Sequence, residues 1–193
     1  PYANKKNIYW QSTEKQFHDA SSWAPGSAIN YLVIRFADVL LLAAEADAQL
    51  GNLADAEVLV NRVRNRAANP AGFLYKYIDN SNPLAGFSAT PAANYVVSPY
   101  PAGYFASKDV ALKAIYFERK LELAMEGHRF FDLVRWGIAE STINTFITYE
   151  RQFSSDILAG SHFTAPKNNY NPIPQNEIDI TTVGGQKTLT QNP

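Results

Sequence analysis

Residues 31–67 read YLVIRFADVLLLAAEADAQLGNLADAEVLVNRVRNRA, and this stretch decides the fold class. From Leu32 to Leu50 the apolar residues recur at three and four with no glycine or proline, which is the period of an α-helix. The run carries Arg35, Asp38, Glu45 and Asp47, so it reads as a core helix and not as a membrane span. Gly51-Asn52 supplies a stop and a new start. Glycine tolerates the left-handed geometry just past a helix, and asparagine favours the N-cap. A second helix is predicted over about 54–67, closed by Asn69-Pro70. Two helices joined by so short a turn are antiparallel neighbours.

Outward from this pair the chain alternates loops and helices. Residues 1–30 are polar and irregular, a loop-rich segment with Tyr9, Trp10, Phe17 and Trp23 spaced through it. Residues 70–106 show no sustained period. They hold Pro83, Pro91, Pro99 and Pro101 beside many aromatics, and long connections of this kind are usually functional or disordered. Ser107 caps a third helix that is expected to reach Glu126 and end at Gly127, apolar nearly all round and therefore buried. Shorter helices follow over about 129–136 and 138–147, and 148–193 is loop-like. The expected architecture is all-α, a single domain of helix pairs with long irregular loops. No alternation is long enough to require a sheet.

Composition removes several function classes. Seventeen basic and 18 acidic residues give a net charge of -1, which argues against a nucleic-acid partner held by phosphate attraction. With no cysteine, disulfide scaffolds, thiol catalysis and Cys-based zinc sites are excluded. His18, His128 and His162 have no ligand-pair spacing, and no dinucleotide, P-loop or serine-hydrolase motif occurs, so neither metal nor cofactor is expected.

The charged clusters read as structural. Arg35, Asp38, Glu45 and Gln49 fall on one side of the first helix, and Glu45 is expected to pair with Arg62, Arg64 or Arg66 on the second. Arg129, Asp132 and Arg135 share a helix face, with Asp132 read as the ion partner of both arginines and Trp136 as core. The loop aromatics point elsewhere. Flat apolar rings with polar edges suit the C–H faces of pyranoses, while Asn-rich loops offer hydrogen bonds to hydroxyls. The alternative is a satellite core beneath a long loop.

Several blocks together resemble one family. They are Tyr31 to Ala46, Asn61-Arg-Val-Arg-Asn-Arg-Ala67, Glu118-Arg119 with Glu122-Leu123-Ala124, the run Glu126 to Gly137, Tyr170-Asn-Pro-Ile-Pro-Gln-Asn-Glu-Ile178, and the closing Leu189-Thr-Gln-Asn-Pro193. In this order they are similar to the SusD/RagB family, surface glycan-binding lipoproteins of Bacteroidetes. The resemblance implies tetratricopeptide-like helix pairs and the C-terminal portion of a longer chain, with the lipid anchor lying outside it at the outer-membrane surface. It also implies a non-catalytic protein that binds oligosaccharide or polysaccharide nutrients and serves a TonB-dependent, SusC-like transporter. The 70–106 connection is read as a specificity insertion.

The candidate sugar contacts are Trp10, Trp23, Tyr75, Tyr77, Tyr95, Tyr100 and Tyr104. Two rival readings stand beside this one. The first is a helical docking scaffold whose glycan contacts lie outside the chain. The second is an all-α glycoside hydrolase fragment, which requires two carboxylates facing one cleft.

Overall fold

The computed structural model describes residues 6, 9–10, 13–19, 21 and 26–192. The chain divides into two compact units, 1–127 and 128–193. Trp23 lies outside the described residues. Among those residues, no helix is long and apolar enough to cross a membrane.

The first unit begins with a single helical turn, α1 (Glu14–Phe17), and a bridge between His18 and Ser27. Its body is three helices: α2 (Phe36–Leu50), α3 (Leu53–Ala68) and α4 (Lys108–Glu122). The first two form the expected hairpin, turned at Gly51 with φ 89°, and α4 packs against both. Each helix contributes one apolar stripe at helical spacing: Ala37, Leu40, Leu41, Ala44 and Ala48 from α2, Ala56, Val60 and Val63 from α3, and Ala111, Ala114 and Ile115 from α4. Alanine at so many of these positions lets the helix backbones approach closely.

Several boundaries differ from the sequence expectation. The first long helix starts at Phe36 and not at Leu32, because Arg35 is extended (φ −116°, ψ 155°). The β-branched Val33 and Ile34 just before it are poor helix starters. Asn52 occupies the N-cap position without a capping bond, its amide lying 3.5 Å from Asp47 Oδ1 instead. Ser107 does cap α4, its Oγ accepting from Val110 N at 3.3 Å. That helix stops at Glu122, and turns follow with Met125 and Gly127 at φ 65° and 83°. Nor is α4 buried all round, since Phe117 and Leu121 face solvent. The 70–106 segment holds a small antiparallel hairpin, β1 (Tyr75–Tyr77) with β2 (Phe87–Pro91), irregular in register. Three residues of alternation and a terminal proline gave too weak a strand signal to read from sequence. The fold is thus mostly α, with this one hairpin added.

The ion pairs are also redistributed. Arg64 bonds Glu118 at 2.6 Å and Arg66 bonds Glu122 at 2.6 Å, while Arg119 bonds Asp38 at 2.7 Å. The acceptors for Arg64 and Arg66 are therefore on α4. Spacing placed these charges on faces but could not say which helix lies opposite. Arg35 closes the set, reaching both Glu122 (2.9 Å) and Glu126 (2.8 Å), and Lys6 joins it on Glu126.

In the second unit, α5 (His128–Arg135) and α6 (Ala139–Glu150) are followed by short helices α7 (Ser155–Leu158) and α8 (Gln175–Ile180). Buried Asp132 accepts from Arg135 at 2.9 Å. Arg129 feels the same carboxylate at longer range, but burial outweighs that attraction and lowers its pKa. Its guanidinium lies 5.7 Å from the Trp136 ring centre, with Arg135 also over that ring at 4.9 Å. Trp136 is thus a half-buried stacking surface rather than full core. The loops are held by side-chain amides. Asn144 bonds both backbone groups of Phe163, at 2.8 and 2.9 Å. Gln191 does the same for Ile173, at 2.7 and 2.9 Å, which ties the closing Gln-Asn to the Pro172–Pro174 turn.

Candidate functional site

The described aromatic candidates fall into two groups. On the hairpin, Tyr77 stacks on Phe87 with centroids 4.9 Å apart, and Trp10 meets the same ring edge-on at 5.2 Å. Tyr95 stacks on Phe73 at 4.1 Å. Two of these tyrosines spend their hydroxyls internally. Tyr75 donates to Pro70 O at 3.0 Å, and the Tyr95 hydroxyl lies 3.1 Å from Leu74 N, which donates to it. These bonds fix the two rings against their own segment.

The second group sits where the loop enters α4. Tyr100 lies between the Arg64 guanidinium, 4.4 Å from its ring centre, and the Tyr104 ring, stacked at 4.6 Å and 20°. Arg64 is itself fixed by Glu118 (2.6 Å) and by Ser98 O (2.7 Å). Asn61 clamps the Tyr100 backbone on both sides, accepting from its N at 2.7 Å and donating to its O at 3.0 Å. Buried Glu57 accepts from Gly103 N at 3.1 Å and Phe105 N at 2.9 Å, while the Phe105 side chain enters the core. The stack is therefore held from below by α3 and from the side by α4. Burial pushes the Tyr100 hydroxyl pKa up, with Arg64 opposing. Neither the Tyr100 nor the Tyr104 hydroxyl is hydrogen-bonded among the described residues.

Tyr104 is 45% exposed and Phe117 on α4 is 52% exposed. With Tyr100, Val110, Lys113 and Ala114 they line a cleft of about 330 Å³. Of these lining residues the sequence singles out the two tyrosines, and not Phe117 or Lys113. The signal existed: Val110, Ala114 and Phe117 repeat at four and three, an apolar stripe that shares buried Ala114 with the core and runs on to exposed Phe117. Reading α4 as uniformly buried hid it.

A larger pocket of about 420 Å³ lies among Lys6, Leu32, Arg35, Arg66, Glu122 and Glu126. Its two carboxylates invite comparison with a hydrolase pair. Burial pushes Glu126 up, but hydrogen bonds from Arg35 and Lys6 outweigh it and hold the carboxyl below its usual value. A general acid needs the opposite shift. A carboxylate depressed in the fold stabilises it above the unfolded pKa, near 4.5, and that contribution disappears as pH falls through the folded value. Glu126→Gln is expected to flatten the loss of stability below about pH 4.5, measured as urea midpoints across an acid series.

Residues 2–193 match the SusD family. Two curated relatives, both from Formosa agariphila, are similar to this chain. SusD-like protein P25 is 31% identical over 164 residues, covering 84% of this chain and 24% of its own length. SusD-like protein P38 is 34% identical over 106 residues, covering 55% of this chain and 17% of its own. The chain thus spans about a quarter or less of the length of these relatives. The match over nearly its whole length shows that the chain belongs to the SusD family.

Proposed function

We propose that this chain is part of a non-catalytic oligosaccharide-binding protein of the outer-membrane surface, lipid-anchored through a segment outside the chain and passing nutrients to a TonB-dependent transporter. Family membership supports glycan binding in nutrient uptake. The observation that carries the proposal to particular residues is the fixed Arg64–Tyr100–Tyr104 stack with its outer ring open beside Phe117. A pyranose laid on Tyr104 would meet a rigid aromatic face and two free phenol hydroxyls, so little ordering would be needed on binding.

The test is calorimetric titration of wild type and Tyr104→Ala against a panel of oligosaccharides. Tyr104 is peripheral to the core, so the variant should keep its melting temperature and lose about tenfold in affinity. Unchanged affinity would remove the cleft from the binding surface. A second reading is favoured by the internal hydroxyl bonds of Tyr75 and Tyr95. It makes the hairpin a packing element of a docking scaffold, with the sugar contacts outside this chain. Binding by a longer form of the protein, with none by this chain, would support it.

A further inference from the structure

We propose that the cleft at the start of α4 selects anionic pyranosides, Lys113 holding the carboxylate or sulfate of a sugar whose ring rests on Tyr104 and Phe117. This rests on the glycan reading above and adds the charge class of the ligand.

Lys113 is exposed, lines the cleft, and forms no ion pair among the described residues. No carboxylate lines the cleft with it. The acidic groups that approach from the neighbouring elements are committed elsewhere. Glu118 on α4 is buried and bonded to Arg64, and Glu57 on α3 is buried and bonded to two backbone amides. Asp109, one turn before Lys113, forms no ion pair with it. Lys108 is turned away, its ammonium 3.4 Å from Gln49 O. One ammonium with no ion pair among the described residues therefore lines an aromatic cleft. A lysine ammonium is a compact donor of three hydrogen bonds and no acceptor. It gains a charge-assisted bond from an acidic substituent and only a neutral one from a hydroxyl. Tyr104 and Phe117 supply the apolar contact that any pyranose would share, so the discrimination falls to Lys113.

The experiment is titration calorimetry of the 193-residue chain at low and at physiological salt. The probes are oligogalacturonates and sulfated galactan oligosaccharides, each beside its carboxyl-reduced or desulfated counterpart of equal length. The acidic member of at least one pair should bind about fivefold more tightly at low salt, with the preference shrinking as salt rises. Which pair shows it identifies the acidic group. Lys113→Gln should abolish the preference while leaving affinity for the neutral member unchanged, and Lys113→Arg should restore it. Equal binding of acidic and neutral members, or a preference that survives Lys113→Gln, would overturn the inference while leaving glycan binding intact. Failure of wild type to bind any probe would overturn the inference and the cleft's assignment as a sugar site together.

Discussion

Asp38→Ala is expected to destabilise the first unit by roughly 3–5 kcal/mol, the cost of removing one member of a buried ion pair. Asp38 and Arg119 are 5% and 3% exposed and lie 2.7 Å apart, joining the first turn of α2 to the last turn of α4. Neither charge has access to water that would replace the lost bond. Removing the carboxylate therefore costs more than the bond itself is worth, because the guanidinium stays buried. Asp38→Asn should fall between wild type and alanine, since it keeps the shape and an acceptor but not the charge. The check is urea unfolding of these variants together with Arg119→Met and the double variant. The two single losses should not add, because they share one interaction. A loss under about 1 kcal/mol for Asp38→Ala would place the pair among surface ion pairs in energy and contradict its burial.

This pair also shows how far the sequence could be read. Helical spacing gave the α2–α3 hairpin to within a few residues, because the Leu-Ala stripes and Gly51 are local signals. Spacing also placed Asp38 and Glu45 on one face of α2. It could not place α4 across that face, because α4 is separated from the hairpin by the 70–106 connection, and the angle at which it returns is set by packing. Spacing alone pairs Glu45 with one of the arginines of α3, whereas Arg64 and Arg66 turn to α4. The aromatic site shows the same limit. Composition marked every loop tyrosine alike. What separates Tyr75 and Tyr95 from Tyr100 and Tyr104 is where each hydroxyl goes, and hydrogen bonds to Pro70 and Leu74 leave no mark in sequence. Phe117 escaped notice because an aromatic on a helix rich in apolar residues looks like core until the partner surfaces are known.

Glu57→Gln should separate contact from positioning at that site. Glu57 lies at the foot of the loop, 8% exposed, and its two carboxylate oxygens accept from Gly103 N and Phe105 N. These bonds bracket Tyr104, whose backbone N also donates to Pro101 O at 3.0 Å. Glutamine has the same shape, but one of its two terminal groups is a donor and would face a backbone amide that is also a donor. One amide would lose its partner, at a cost of about 2–3 kcal/mol including the weaker bond that remains. The substituted side chain does not line the cleft, so any effect on sugar binding must arrive through the loop. Release of one amide gives the 103–105 segment alternative conformations, and the ligand must then restore the order that the carboxylate supplies in the wild type. Both unfolding free energy and saccharide affinity should therefore fall in Glu57→Gln, whereas Tyr104→Ala should lower affinity alone. A variant that lost stability but bound sugar as the wild type does would show that burial of Phe105, at 4% exposure, holds the loop without the carboxylate. Preorganisation would then lie in the apolar anchor, and the Glu57 bonds would serve only to satisfy amides that the loop has already brought indoors.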